Sequence, residues 1–183
     1  MSAMGRHLGF TLIELLISMA IAGLLLVMSI PAYVRWTGNA QVADAAETIA
    51  DGLRYANAEA IKRNASIEFV LDPTTGSGGW TAQLAPAGAM LKVGKLKEGS
   101  NFATLVASPA GRTMVTFDPL GRVLAANADA SLPFTKVDVS GPGADRPLTV
   151  VLGGSSGAAL PQGTGVKICD PNWAWPDPKG CPP

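Results

Sequence analysis

Histidine is nearly missing from this chain of 183 residues, which has one, His7. Charge is also sparse, at 15% of residues, and 14 basic side chains balance 14 acidic ones. The first absence removes the usual base from any nucleophile–base pair outside the N-terminus. The second removes a long-range electrostatic pull toward nucleic acid or acidic surfaces. Cysteine is limited to two residues, Cys169 and Cys181, and with no second pair and no histidine nearby they lack the partners of a zinc site. Gly153–Gly157, "GGSSG", lacks the G-K-[ST] ending and following helix of a phosphate loop. Asp118, Asn127 and Asp129 do not keep calcium-loop spacing. No catalytic residue, metal or cofactor is assigned, and an enzyme is not expected.

What the chain has instead is a long apolar run. "GFTLIELLISMAIAGLLLVMSIP", Gly9 to Pro31, contains a single ionisable side chain, Glu14. From Leu15 to Val34 the run is about 20 residues, which as a helix is about 30 Å, the thickness of a hydrocarbon core. No polar stripe interrupts it before Arg35, so a membrane-spanning helix is expected rather than a buried soluble one. A carboxylate alone in lipid costs several kcal/mol, so Glu14 demands a partner. The polar stretch "MSAMGRHLG" precedes the run, and no A-x-A-like cut site follows it. Arg6 and His7 orient the N-terminus weakly toward the cytoplasm, although Arg35 flanks the other end.

Beyond Pro31, Val42, Ala45, Ala46, Ile49, Leu53, Ala56 and Ala60 recur at helical spacing, with Asp44, Glu47, Asp51, Arg54 and Lys62 on other faces. This predicts a helix that lays an apolar face on a folded domain, with a surface Glu59–Arg63 pair. Pro31 lacks a backbone donor and is expected to kink or loosen the helix. Gly and Pro, 21 and 14 in all, concentrate after Asp72, and the period shortens from Ser66. "SIEFVL" and "WTAQL" flank the turn "DPTTGSGG", and "TMVTFDPLGRVLA" repeats that hairpin plan around "DPLG". "FTKVDVS", "PLTVVL" and "GVKIC" follow. Six to eight strands without intervening helices imply antiparallel pairing and an α+β fold. Cys169 and Cys181 form one small disulfide loop if this part is exported, and two reduced thiols if it is cytosolic.

"GFTLIELLISMAIAGLLL" closely resembles the start of type IV pilins and pseudopilins. The helix-then-strands order, "FDPLGRV" and the tail "VKICDP…DPKGC" resemble the GspH/FimT group. The resemblance implies a leader at 1–9 removed by a prepilin peptidase between Gly9 and Phe10, and N-methylation of Phe10. It implies a transmembrane and filament-core helix at 10–36, an amphipathic continuation at 37–64, and a periplasmic β-rich domain at 65–183. Pro31 falls where many pilins carry a helix-interrupting proline. Glu14 matches the family's glutamate, whose carboxylate can lie near the Phe10 amine of a neighbouring subunit; two costly charges then partly neutralise each other.

The expected partners are other pilins through the N-terminal helix, the peptidase, and inner-membrane lipid before assembly. The expected role is that of a minor pilin at or near a pilus tip, with the type II secretion pseudopilin as an alternative. In the tail, Trp173 and Trp175 either pack over a sheet edge or form an exposed recognition tip. Some FimT proteins are DNA receptors with a basic G-R-x-R motif. Here the matching positions read Thr164-Gly165-Val166-Lys167, and only the last basic residue survives. Lys167 and Lys179 are offset by Asp170 and Asp177, so DNA contact through Lys167, Trp173, Trp175 and Lys179 is the lesser expectation.

Overall fold

A computed structural model of the chain describes residues 11–74, 78–96, 102–153, 165–173 and 176–181. One helix, α1 (Leu12–Arg63), leads into eight strands: β1 (Ile67–Asp72), β2 (Gly79–Leu84), β3 (Met90–Lys95), β4 (Thr104–Ser108), β5 (Met114–Phe117), β6 (Lys136–Ser140), β7 (Leu148–Leu152) and β8 (Val166–Cys169). The strands form two four-stranded sheets, ordered β3-β2-β1-β5 and β4-β6-β7-β8. Every pairing between these strands is antiparallel. The α+β architecture is therefore as the sequence predicts.

The helix begins at Thr11, whose hydroxyl accepts the Glu14 N–H at 3.3 Å, and ends at Asn64 in the left-handed conformation. The Asn64 N–H returns to the Ala60 and Ile61 carbonyls, which closes the last turn. Pro31 does not break the element: α1 is assigned as one continuous helix through it. The ring removes one donor, but the turns on both sides retain their own ladders and carry the helix across.

Exposure changes abruptly at Thr37. Every residue from Leu12 to Trp36 is exposed, whereas Val42, Ala45, Ala46, Ile49, Leu53, Ala56 and Ala60 are buried completely. The alanines let α1 approach closely, and it touches strands of both sheets. Phe69 of β1 and Phe134 before β6 meet edge to face, with centroids 6.2 Å apart, and so join the sheets beneath the helix. Each fully buried Leu, Ile or Phe here adds about 1.5–3 kcal/mol.

Trp80 of β2 fixes the helix against the first sheet. Its Nε1–H donates to the Thr48 carbonyl at 3.0 Å, and its ring stacks on Phe69 at 5.7 Å. Gly52 of α1 and Gly94 of β3 face the indole so closely that a Cβ at either position would overlap it.

The Glu59–Arg63 pair forms at 2.6 Å, but it is not a surface pair on the acid side. Glu59 also accepts from Lys62 at 3.1 Å, and its side chain is only 9% exposed. The hydrogen bonds from Arg63 and Lys62 hold its carboxyl below the ordinary value of 4.5. A depressed folded-state pKa adds stability above the unfolded pKa, and that stability is lost as pH falls through the folded value. Glu59→Gln should therefore lower the melting temperature at pH 7, and the gap from wild type should close toward pH 3. Parallel melting curves from pH 7 to 3 would speak against this pairing.

The first expected hairpin is β1–β2, in register from Ile67–Leu84 to Asp72–Gly79. The second is only half present. β5 turns at Asp118, whose Oδ1 accepts the Leu120 and Arg122 N–H groups, but its return arm is reduced to a single Phe117–Val123 bridge. From Leu124 the chain folds over the outer face of the first sheet. There Thr116 donates to Asn127, which in turn donates to Met114 O and Ser131 Oγ.

Candidate functional site

Two features stand apart from the core: the exposed half of α1 and the loop closed by Cys169 and Cys181. Thr11-Leu12-Ile13-Glu14 places Glu14 at the third helical position, where Thr11 caps its N–H. This is the S/T-x-x-E pattern that begins many helices, a signal present in the sequence itself. Glu14 therefore also sits at the positive end of the helix dipole. The two serines of this half return their hydroxyls to the backbone, Ser18 to Glu14 O and Ser29 to Leu26 O, both at 2.8 Å. Neither hydroxyl is left seeking a partner on an apolar surface, as lipid requires. Gly9 and Phe10, the expected processing site, lie outside the described residues, as does all of the expected leader. The helix is long and apolar enough to cross a membrane.

The lower edge of the β domain wraps onto α1 just above this half. Gly38 is in backbone contact with the 142–144 turn, where a Cβ would come within 2.7 Å of the Ala144 nitrogen. Gly143 takes φ +74 against Val34, a conformation that favours glycine. Asn39 clamps the turn: its Nδ2 donates to Asp145 at 2.6 Å, and its Oδ1 accepts the N–H groups of Asp145 and Arg146, each at 3.1 Å. These residues are 106 and 107 positions apart in sequence. No local pattern in the sequence announces Asn39 or Arg146.

Cys169 and Cys181 are disulfide-bonded, with Cα atoms 5.0 Å apart. A loop of this size contributes about 3 kcal/mol in the chain-entropy model. Inside it Asp170 N–H donates to Lys179 O at 2.8 Å, and Asp170 pairs with Gly180 in a parallel bridge. Lys167 of β8 donates to Gly180 O at 3.0 Å. The Lys179 ammonium lies 5.3 Å from the ring centroid of Trp173, which is 48% exposed. The structure thus brings Lys167, Trp173 and Lys179 to one loop, while Trp175 and Thr164 lie outside the described residues, as does most of "GGSSG". A groove of about 490 Å³ runs between this loop and the foot of α1, with Asn39, Ala43, Arg146, Ile168, Asp170 and Lys179 among its walls. Among the described residues no cluster of His, Cys, Asp and Glu could hold a metal.

Comparison with known proteins agrees with this geometry. Residues 4–30 match the model of the prokaryotic N-terminal methylation motif, and residues 45–157 match that of the type II transport protein GspH. The chain is 43% identical over 68 residues to the type IV major fimbrial protein FimA of Dichelobacter nodosus, covering 37% of this chain and 42% of that protein. It is 49% identical over 51 residues to a fimbrial protein of Moraxella nonliquefaciens, covering 28% and 32%. The chain thus spans less than half the length of either relative. No solved structure matches it. With the methylation motif on the helix and the family model over most of the folded domain, the chain belongs to the GspH family and is a type IV pilin or pseudopilin of the GspH/FimT kind.

Proposed function

We propose that the chain is a minor pilin, a structural subunit placed at or near the tip of a type IV pilus. The observation that carries this reading is the fully exposed, apolar first half of α1 with one carboxylate at its start. Such a surface is stable only in lipid or against other helices of its kind. The chain waits in the inner membrane with its β domain on the periplasmic side, and then enters the filament by exchanging lipid contacts for helix contacts. Prepilin peptidase cuts between Gly9 and Phe10, Phe10 is methylated, and Glu14 meets the new amine of a neighbouring subunit. Pro31, lacking its donor, is the place where the helix yields during that exchange.

The fimbrial relatives and the cysteine-closed tail favour the pilus; the name of the matching family model favours a type II secretion pseudopilin as the second reading. DNA capture ranks lower. Tracking a phosphate backbone takes several cations in register, and the loop region offers only Lys167, tied to Gly180 O, and Lys179, with Asp170 and Asp177 to offset them.

Intact-mass measurement of the membrane-extracted chain should give a mature protein starting at Phe10 with one added methyl group. Gly9→Val should leave unprocessed precursor, and a mature N-terminus beyond Val34 would end the pilin reading. Deleting the gene should remove surface pili; loss of secreted proteins with pili intact would transfer the chain to the secretion machine.

A further inference from the structure

We propose that the groove between the foot of α1 and the disulfide loop holds the phosphate headgroup of an anionic phospholipid while the chain waits in the bilayer. The inference rests on the membrane reading above and adds to it a specific lipid contact. Its first support is height. From Leu12 to Asn39 the helix rises about 40 Å, or about 38 Å along the membrane normal at an average tilt. A hydrocarbon core and one headgroup layer together measure about 35–38 Å. Asn39, which lines the groove, therefore stands at the outer limit of the headgroups, with Ala43 about one helical turn above it. The 141–146 turn reaches lower still, to Val34.

The second support is chemistry. Tyr33 and Trp36, with ring centroids 6.1 Å apart, and Arg35 lie on α1 directly below the groove, where amphipathic rings and cations favour the interface. The groove itself presents the cations Arg146 and Lys179 against one anion, Asp170. Asp170 is already engaged, its Oδ1 accepting the Asn172 N–H at 2.9 Å. Among the described residues the Arg146 side chain has no ion-pair or hydrogen-bond partner, although its own backbone is clamped by Asn39. A fixed backbone with an unpartnered guanidinium suits a single phosphate group. Two cations suffice for one headgroup, whereas a nucleic-acid strand needs a row of them. The apolar part of the wall, Ala43, Leu148 and Ile168, accommodates the glycerol end.

The test uses the full chain, extracted in neutral detergent and presented with equimolar phosphatidylglycerol and phosphatidylcholine, with bound lipid read by native mass spectrometry. Each cation near an anionic surface favours binding by roughly fivefold, so phosphatidylglycerol adducts should exceed phosphatidylcholine adducts by about fivefold or more. Arg146→Gln with Lys179→Gln should bring the ratio near one, and each single variant should fall between. Both residues are exposed, and an intact Cys169–Cys181 peptide together with an unchanged circular dichroism spectrum verifies the fold. A wild-type ratio near one, or a ratio unchanged in the double variant, overturns the inference. Displacement of the lipid by inorganic phosphate, but not by chloride of equal ionic strength, overturns it in favour of a free-anion site. Displacement by a short DNA duplex overturns it in favour of nucleic acid. Alkaline carbonate separates this from the underlying reading: release of the chain from membranes would sink the membrane anchor itself, whereas retention without lipid preference sinks only the headgroup contact.

Discussion

The detergent-solubilised Trp80→Ala chain should melt about 6–20 °C below wild type, the largest loss of stability we expect from a single substitution. Removing a buried Trp costs about 3–5 kcal/mol, and for a chain of this size each kcal/mol moves the midpoint by about 2–4 °C. The site has no means of collapsing to fill the hole. Gly52 and Gly94 stand against the indole on two elements, and neither has a side chain to move inward. Trp80→Phe keeps part of the stacking on Phe69 but loses the bond to Thr48 O, so it should fall between the two. Gly52→Val should be nearly as harmful as Trp80→Ala, because its branched side chain would overlap the ring. A Trp80→Ala midpoint within 2 °C of wild type would show that the helix is docked by other contacts.

The second large effect concerns filaments. Glu14→Ala should reach the membrane at normal levels yet be depleted more than tenfold from sheared filaments, since on the proposed pairing it leaves a neighbour's amine unpaired among apolar helices, a loss of about 3–5 kcal/mol. The Thr11 cap supplies a rival explanation, in which Glu14 merely helps to begin the helix. Two further variants separate them. Glu14→Gln keeps a residue suited to the third helical position but removes the charge, and it should be excluded like Glu14→Ala. Thr11→Ala removes the cap at a cost of about 1 kcal/mol but keeps the carboxylate, so it should assemble. Glu14→Gln entering filaments as well as wild type would end the charge-pair account; exclusion of Thr11→Ala as strong as that of Glu14→Ala would leave the helix start as the cause.

The parts of the fold that show in the sequence are those set by local periodicity. Val42 to Ala60 at helical spacing predicts the face that α1 buries, and the alternation of "KVDVS" predicts the inward Val137 and Val139 of β6. Strands β3 and β4 leave little mark in the sequence, because edge position weakens the signal. β3 is bonded on one side only and mostly exposed, so "MLKVGK" has little pressure to alternate, and its Gly94 is chosen to admit Trp80 rather than to favour a strand. β4 is also an edge, five residues long and followed at once by Pro109. The return arm after "DPLG" is misleading for the opposite reason: its residues are apolar, but they serve a loop that lays Asn127 against Thr116. Of the site, Glu14 and the cysteines are legible because each is a rare residue type in its setting. Arg146 is not, because its place beside Lys179 depends on a clamp by Asn39 from the far end of the chain.

The continuity of α1 gives the molecule a mechanical character. At 52 residues the helix is about 78 Å long, and its second half packs on strands of both sheets, with Ile49 and Leu53 buried and Trp80 bonded to Thr48 O. Pro31 lies within the continuous helix between the exposed half and the β domain, and the 141–146 turn grips the helix just above it, at Val34 and Asn39. A turn or lift applied to the helix above Pro31 would therefore be passed to the β domain, and a pull on the Trp173 loop to that part of the helix. Such a rod would let forces be transmitted along a filament through its subunits' backbones, with the tail's disulfide keeping the loaded end from unravelling.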